Sequence, residues 1–63
     1  MKRQNKIKVE TMRFPIVSNL ENVQAEVTAR ANEFYNDPSV LSVDVVPNHT
    51  STYFVYDIIA ELR

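Results

Sequence analysis

One histidine and three carboxylates are the side chains of this sequence best suited to chemistry. His49 is the only imidazole and lies in a predicted turn, but a general base needs a partner held in position, and the sequence shows none. Asp44, Asp57 and Glu61 occupy polar positions of two predicted strands. Neighbouring carboxylates could bind a hard cation or share a proton.

A structural interpretation of the same residues competes with the chemical one. Polar positions of half-exposed strands commonly carry acids, and like charges on adjacent strands cost stability. The chain has no Cys and no Gly, so it offers neither a thiolate nor a glycine-rich phosphate loop. We therefore predict no catalytic residue, no cofactor and no metal site, and we predict that the protein is not an enzyme.

Charge is distributed unevenly along the chain. Residues 1–13 hold five basic side chains against Glu10 alone, a net of +4, whereas residues 14–63 hold two basic side chains against seven acids, a net of −5. A basic start could contact nucleic-acid phosphates, or it could be a solvated end. The formal net charge of −1 argues against nucleic acid as the main partner. The alternative function would use Lys2, Arg3, Lys6, Lys8 and Arg13.

Length sets the strongest limit on this protein. A chain of 63 residues forms one small domain, which buries only about 60% of its unfolded surface. Disulfides are excluded without Cys, so self-association is the remaining means of stabilisation. No apolar run of secretory or membrane-spanning length is present, which predicts a cytoplasmic protein without a membrane partner.

Four elements are predicted along the chain. KIKVETMRF, residues 6–14, alternates with period two and is charged, which indicates an edge strand. SNLE, residues 18–21, matches a capping box and predicts a helix that ends near Tyr35 or Asn36, before Asp37-Pro38. Its apolar stripe comprises Leu20, Val23, Val27, Ala31 and Phe34.

Two further strands follow the helix. VLSVDVV, residues 40–46, turns Leu41, Val43 and Val45 to one side, and the turn PNHT leads to a last strand over residues 52–62. The predicted fold is α+β, with the element order β-α-β-β in one domain over residues 1–63, of which 1–5 are basic and frayed. We expect a three-stranded sheet in the order 1-3-2 with the helix on one face; a central second strand is the alternative.

The last strand is apolar on both sides. Phe54, Tyr56, Ile58, Ala60 and Leu62 form one face and should meet the helix, whereas the other face carries Tyr53, Val55 and Ile59 without a second element to cover it. An open apolar patch on a small protein marks an interface, so we predict a homo-oligomer, first of all a dimer, packed through Tyr53, Val55 and Ile59. A monomer with scattered exposed apolar residues is the competing interpretation.

The whole pattern resembles a known protein family. IKVE opening a strand, ANEFY closing the helix, SVDVV as a short strand and YFVYDIIAEL as the last strand resemble the short forespore-expressed sporulation proteins of Bacillus-type bacteria. Small phage-encoded accessory proteins look similar at this level. The resemblance implies a small non-enzymatic protein and assigns no functional residue. We predict a cytoplasmic protein that acts through protein contacts or self-association, with nucleic-acid binding as the alternative.

Overall fold

The computed structural model describes residues 6–63 and contains three strands and one helix. The elements are β1 (Lys6–Pro15), α1 (Leu20–Tyr35), β2 (Val40–Pro47) and β3 (Tyr53–Leu62). This is the predicted β-α-β-β order, and the α+β fold class is confirmed. The segment 1–5, predicted to be frayed, lies outside the described residues. No helix within residues 6–63 is long and apolar enough to cross a membrane.

The sheet has the strand order β1-β3-β2, as predicted, with the most apolar strand in the centre. β3 pairs antiparallel with both neighbours, so β1 and β2 run in the same direction. The β1–β3 register is uninterrupted from Lys6 opposite Leu62 to Pro15 opposite Tyr53. β2 is less regular, because its register with β3 shifts between Val40 and Ser42.

Helix α1 begins one residue later than the capping box implies. The N-cap is Asn19 rather than Ser18, and the Asn19 side chain accepts hydrogen bonds from the backbone N–H groups of Glu21 and Asn22. Asn19 can cap the helix because its short amide side chain reaches the same unpaired N–H groups that a serine hydroxyl would. The helix ends at Tyr35 with Asn36 as the C-cap, as predicted.

The core lies between α1 and one face of the sheet. Ile58 and Ala60 at its centre are fully buried. Four of the five predicted stripe residues are buried, and Leu20 is the exception, being half exposed in the first turn. Partly buried Met12 and Phe14 extend the core under β1. The buried members of the core are Val23, Val27, Ala31, Phe34, Val40, Val43, Tyr56, Ile58 and Ala60.

The bulge in β2 changes which of its side chains are buried. Leu41 was expected to lie on the apolar face with Val43 and Val45, but it is exposed, and Val40 is buried in its place. A bulge inserts one residue without a cross-strand partner and so reverses the alternation beyond it. The period-two pattern of VLSVDVV therefore predicted the strand correctly and the inward side of Leu41 wrongly.

Substitutions of Ile58, the fully buried residue at the centre of the core, test how strongly the fold depends on this single layer of packing. Ile58→Val should lower the free energy of unfolding by about 0.5–1.5 kcal/mol, and Ile58→Ala by about 2–5 kcal/mol, because each leaves a cavity in a core that cannot relax around it. Such a loss approaches the whole stability that a domain of this size provides. Urea denaturation followed by circular dichroism measures both effects. Val17→Ala, at a position 90% exposed, is the control and should change little.

Candidate functional site

The candidate site is the face of the sheet turned away from α1, here called the open face. No helix or strand within residues 6–63 lies on it, because the single helix packs on the opposite side. Residues opposite each other in the register share a face, so the pairing identifies the members of the open face. They are Ile7, Val9, Thr11 and Arg13 of β1, Tyr53, Val55, Asp57, Ile59 and Glu61 of β3, and Ser42, Asp44 and Val46 of β2.

The most exposed apolar side chains of the open face belong to β1. Ile7 is 64% exposed and Val9 is 57% exposed, and Val9 lies directly opposite Ile59 of β3. The three residues form an uncovered apolar group at the beginning of β1 and the end of β3. Val46 of β2 adds a further half-exposed residue beside Asp57.

Sequence reasoning placed Ile7 and Val9 on one side of β1 without naming them as contact residues. The signal that could have identified them lies on the other side of the strand, where Lys8 and Glu10 alternate with them. Those charged residues face α1, and Glu10 forms a bidentate ion pair with Arg30 of the helix at 2.5 and 2.7 Å. An arginine on the flank of the helix stripe was the available indication that β1 turns its charges inward.

The Glu10–Arg30 pair lies on the same side of β1 as Met12 and Phe14, which pack against the core. Arg30 also contacts Glu33 one turn further along α1, and its guanidinium lies 4.9 Å from the Phe34 ring centroid. Lys8 stands 5.4 Å from the same centroid. These contacts keep the charged side of β1 against the edge of the helix. Ile7 and Val9 consequently remain on the opposite, uncovered side.

The three predicted interface residues differ in how accessible they are. Tyr53 is exposed and Ile59 is partly exposed, whereas Val55 is only 8% exposed within the single chain. Arg13 lies directly opposite Val55, and the Arg13 guanidinium lies 5.9 Å from the Tyr53 ring centroid. Val55 therefore offers little surface to a partner. The role of all three residues in an interface stays a prediction.

The acidic residues of the open face are spaced apart by the register. Asp57 lies opposite Thr11 on one side and Val46 on the other, and Asp44 lies opposite Ile59. The Asp57 carboxylate accepts a hydrogen bond from the Thr11 hydroxyl at 2.7 Å. In the part of the chain from Lys6 to Arg63, no three His, Asp or Glu residues are grouped closely enough to hold a metal ion.

The basic residues named for nucleic-acid binding that the structure describes do not gather on one surface. Lys6 and Lys8 lie opposite helix-facing residues of β3, whereas Arg13 lies opposite Val55 on the open face. Lys2 and Arg3 lie outside the described residues. The three described residues therefore divide between the two faces of β1, and no continuous track for a phosphate backbone is formed by them.

His49 has a structural position in the β2–β3 connection. Its Nδ1 accepts a hydrogen bond from the backbone N–H of Val55 at 3.1 Å, so the imidazole replaces a backbone carbonyl at the start of the ladder. Its ring meets those of Phe54 and Tyr56 edge-on, with centroids 5.3 and 4.9 Å away. The Asn48 N–H completes the connection by donating to the Val55 carbonyl.

No residue from 6 to 63 adopts a positive φ. Asn48 is the residue of the turn PNHT best able to take the left-handed conformation that a tight hairpin turn requires, but it does not take it. The chain instead uses a wider connection closed by side chains: the Thr50 hydroxyl accepts from the backbone N–H of Tyr53 at 3.0 Å, and the Thr50 N–H donates to the Tyr53 carbonyl. A chain without glycine thereby makes its hairpin without backbone strain.

A shallow groove of about 210 Å³ lies between the start of α1 and the end of β1. Phe14 and Val23 supply its apolar floor, and the polar rim belongs to the first turns of the helix. The residues that line this groove are those expected at the start of a helix. None of them is among the catalytic, interface or nucleic-acid-binding candidates proposed from the sequence.

Comparisons with protein-family models, with curated proteins and with solved structures gave no match. The open face is thus characterised by its own geometry alone.

The Glu10–Arg30 pair makes stability depend on pH. Hydrogen bonding to Arg30 lowers the pKa of Glu10 below its ordinary value, partial burial opposes this, and the charges of Arg30 and Lys8 lower it further. A carboxyl whose pKa is lower in the folded chain stabilises the fold above its ordinary pKa. That contribution is lost as the pH falls through the lowered value.

We expect Glu10→Gln to destabilise the protein at neutral pH, with a difference from the wild type that shrinks towards zero as the pH falls through the lowered pKa of Glu10, because the wild-type carboxyl is then also protonated. Urea midpoints of both proteins across this range measure the effect. Glu26→Gln, at an exposed position of α1, is the control and should show no such convergence. A Glu10→Gln deficit that does not change with pH would mean that the ion pair is not its origin.

The His49 contact predicts a second stability effect. His49→Ala removes the acceptor of the Val55 N–H and two edge-on ring contacts, and should cost about 1–3 kcal/mol. Denaturant unfolding measures this cost. Ser51→Ala, in the same connection, is the control and should be near neutral. An equally small effect of His49→Ala would show that the imidazole does not hold the hairpin.

Proposed function

We propose that this protein is a small non-enzymatic cytoplasmic protein that acts through contact with another protein chain, in the first instance a second copy of itself, at the open face. The observation that supports this proposal is the group formed by Ile7, Val9 and Ile59. These side chains are apolar, two of them are more than half exposed, and they adjoin one another across β1 and β3.

The small size of the chain gives this exposed group its importance. One layer of packing on one face of the sheet is all the core that the described residues form. Covering Ile7 and Val9 would add apolar burial at roughly 25 cal/mol per Å². For a domain whose own core supplies only a few kcal/mol, association is a substantial addition to stability.

The resemblance to short sporulation proteins, or to small phage accessory proteins, would suit a chain whose role is to bind rather than to catalyse. We retain it as part of the proposal. The resemblance suggests a cellular setting for the protein but does not identify any functional residue. The open face and its exposed residues support contact with a protein independently of that resemblance.

Analytical ultracentrifugation tests the proposal. The wild-type protein should show a concentration-dependent rise in mass, and the double variant Ile7→Thr/Val9→Thr should raise the dissociation constant about tenfold or more. The double variant removes apolar surface worth over 1.4 kcal/mol while keeping β-branched side chains suited to a strand. Circular dichroism should show the monomer fold unchanged.

Val17→Thr is the matched control, because Val17 is exposed to solvent away from the sheet. This control should leave the dissociation constant as it is in the wild type. A wild-type protein that stays monomeric up to millimolar concentration would overturn self-association as the function.

A further inference from the structure

The free edge of β1 is the most regular uncovered backbone in the molecule. β1 pairs with β3 over ten consecutive residues without a register shift, and its other edge pairs with no strand of residues 6–63. The opposite edge of the sheet, along β2, is interrupted by the shift between Val40 and Ser42 and ends at Pro47. Charged side chains, bulges and prolines all discourage an edge from pairing. β1 carries charged side chains but no bulge, and its one proline stands at its end.

The hydrogen-bonding pattern shows which groups of β1 point outward. Ile16 donates its N–H to the Thr52 carbonyl at 2.9 Å, one residue beyond the Pro15–Tyr53 pair that ends the β1–β3 register. In an antiparallel ladder, hydrogen-bonded pairs alternate with non-hydrogen-bonded pairs. Even-numbered residues of β1 therefore bond to β3. Ile7, Val9, Thr11 and Arg13 turn their N–H and C=O groups to the free edge.

We propose that two copies of this chain pair antiparallel along β1 in a register centred on Val9, forming one six-stranded sheet. This proposal rests on self-association as the function and places the contact at the edge of the open face, along β1, rather than across that face. Val9 of each copy lies opposite Val9 of the other, and Ile7 lies opposite Thr11. The outward-pointing groups of these three residues supply six hydrogen bonds across the twofold axis, and both helices lie on the same side.

Charge selects this register over its neighbours. In the Val9-centred register, Lys8 of each copy lies directly opposite Glu10 of the other, which adds a cation to the Glu10–Arg30 pair. Because side chains alternate between faces, the nearest symmetric registers that keep the faces aligned are centred on Lys8 or on Glu10. Those two registers place Lys8 opposite Lys8 or Glu10 opposite Glu10, which is unfavourable.

The same pairing extends the exposed apolar group. Ile59 and Val9 of one copy and Val9 and Ile59 of the other form a row of four across the middle of the sheet. Stacking two open faces directly would instead enclose Asp44, Asp57 and Glu61 from each copy, with Arg13 as the one basic residue of the face. Burying these charges is costly, whereas pairing along β1 leaves the carboxylates in water.

Cysteine cross-linking tests the register, since the natural chain has no Cys. In the full-length protein, Val9→Cys should form a disulfide-linked dimer under mild oxidation, because hydrogen-bonded antiparallel pairs stand about 5.5 Å apart between Cα atoms, within disulfide reach. Ile7→Cys alone should not form a disulfide-linked dimer, because the two Cα atoms at position 7 would be about 14 Å apart along the strands. A mixture of Ile7→Cys and Thr11→Cys should give the mixed dimer.

A backbone variant provides a second test. Val9→Pro removes an N–H that points to the free edge and leaves the β1–β3 ladder intact, so it should abolish the dimer while the monomer remains folded by circular dichroism. Val9→Ala, which keeps the N–H, should retain a weakened dimer.

Three results are decisive. Cross-linking in the stated pattern supports the register. A wild-type protein that self-associates without a Val9→Cys cross-link overturns pairing along β1 and leaves the proposed function standing, as expected for stacked sheets about 10 Å apart. A monomeric wild-type protein overturns both.

Discussion

Within residues 6–63, one helix of sixteen residues is the one element that packs on the sheet, and this limit shapes the fold. A helix can bury one face of a sheet, so among these residues no second element packs on the other side of β3. On the helix-facing side of β1, Glu10 pairs with Arg30, and Met12 and Phe14 pack against the core. Ile7 and Val9 are left facing away from the core.

The fold could be predicted from the sequence because each element has a clear period and clear ends. Val23, Val27, Ala31 and Phe34 fit a helical stripe, Asp37-Pro38 limits its end, and the apolar length of β3 places that strand in the centre. The errors were local ones. Asn19 and Ser18 are both good caps, so the sequence could not choose between them, and the bulge beside Leu41 leaves no mark in an alternating pattern.

The candidate site was harder to predict because it depends on register rather than on period. The two-sided character of β3 was visible in Tyr53, Val55 and Ile59. The solvent exposure of each of these side chains depends on its neighbours in β1. Arg13, for example, lies directly opposite Val55, which is buried. Likewise, alternation in β1 shows that Ile7 and Val9 share a side, but the contacts that Glu10, Met12 and Phe14 make with the helix and the core decide which side that is.

The irregularity at the start of β2 has a consequence for the size of any assembly. A sheet with two pairable margins could recruit copies at both and grow into a filament, as open-ended contacts do. Here the register shift between Val40 and Ser42, together with Pro47, makes the β2 edge of the sheet unsuited to pairing with another strand. In the proposed pairing, each copy therefore joins one other copy through β1, and the assembly ends at two chains.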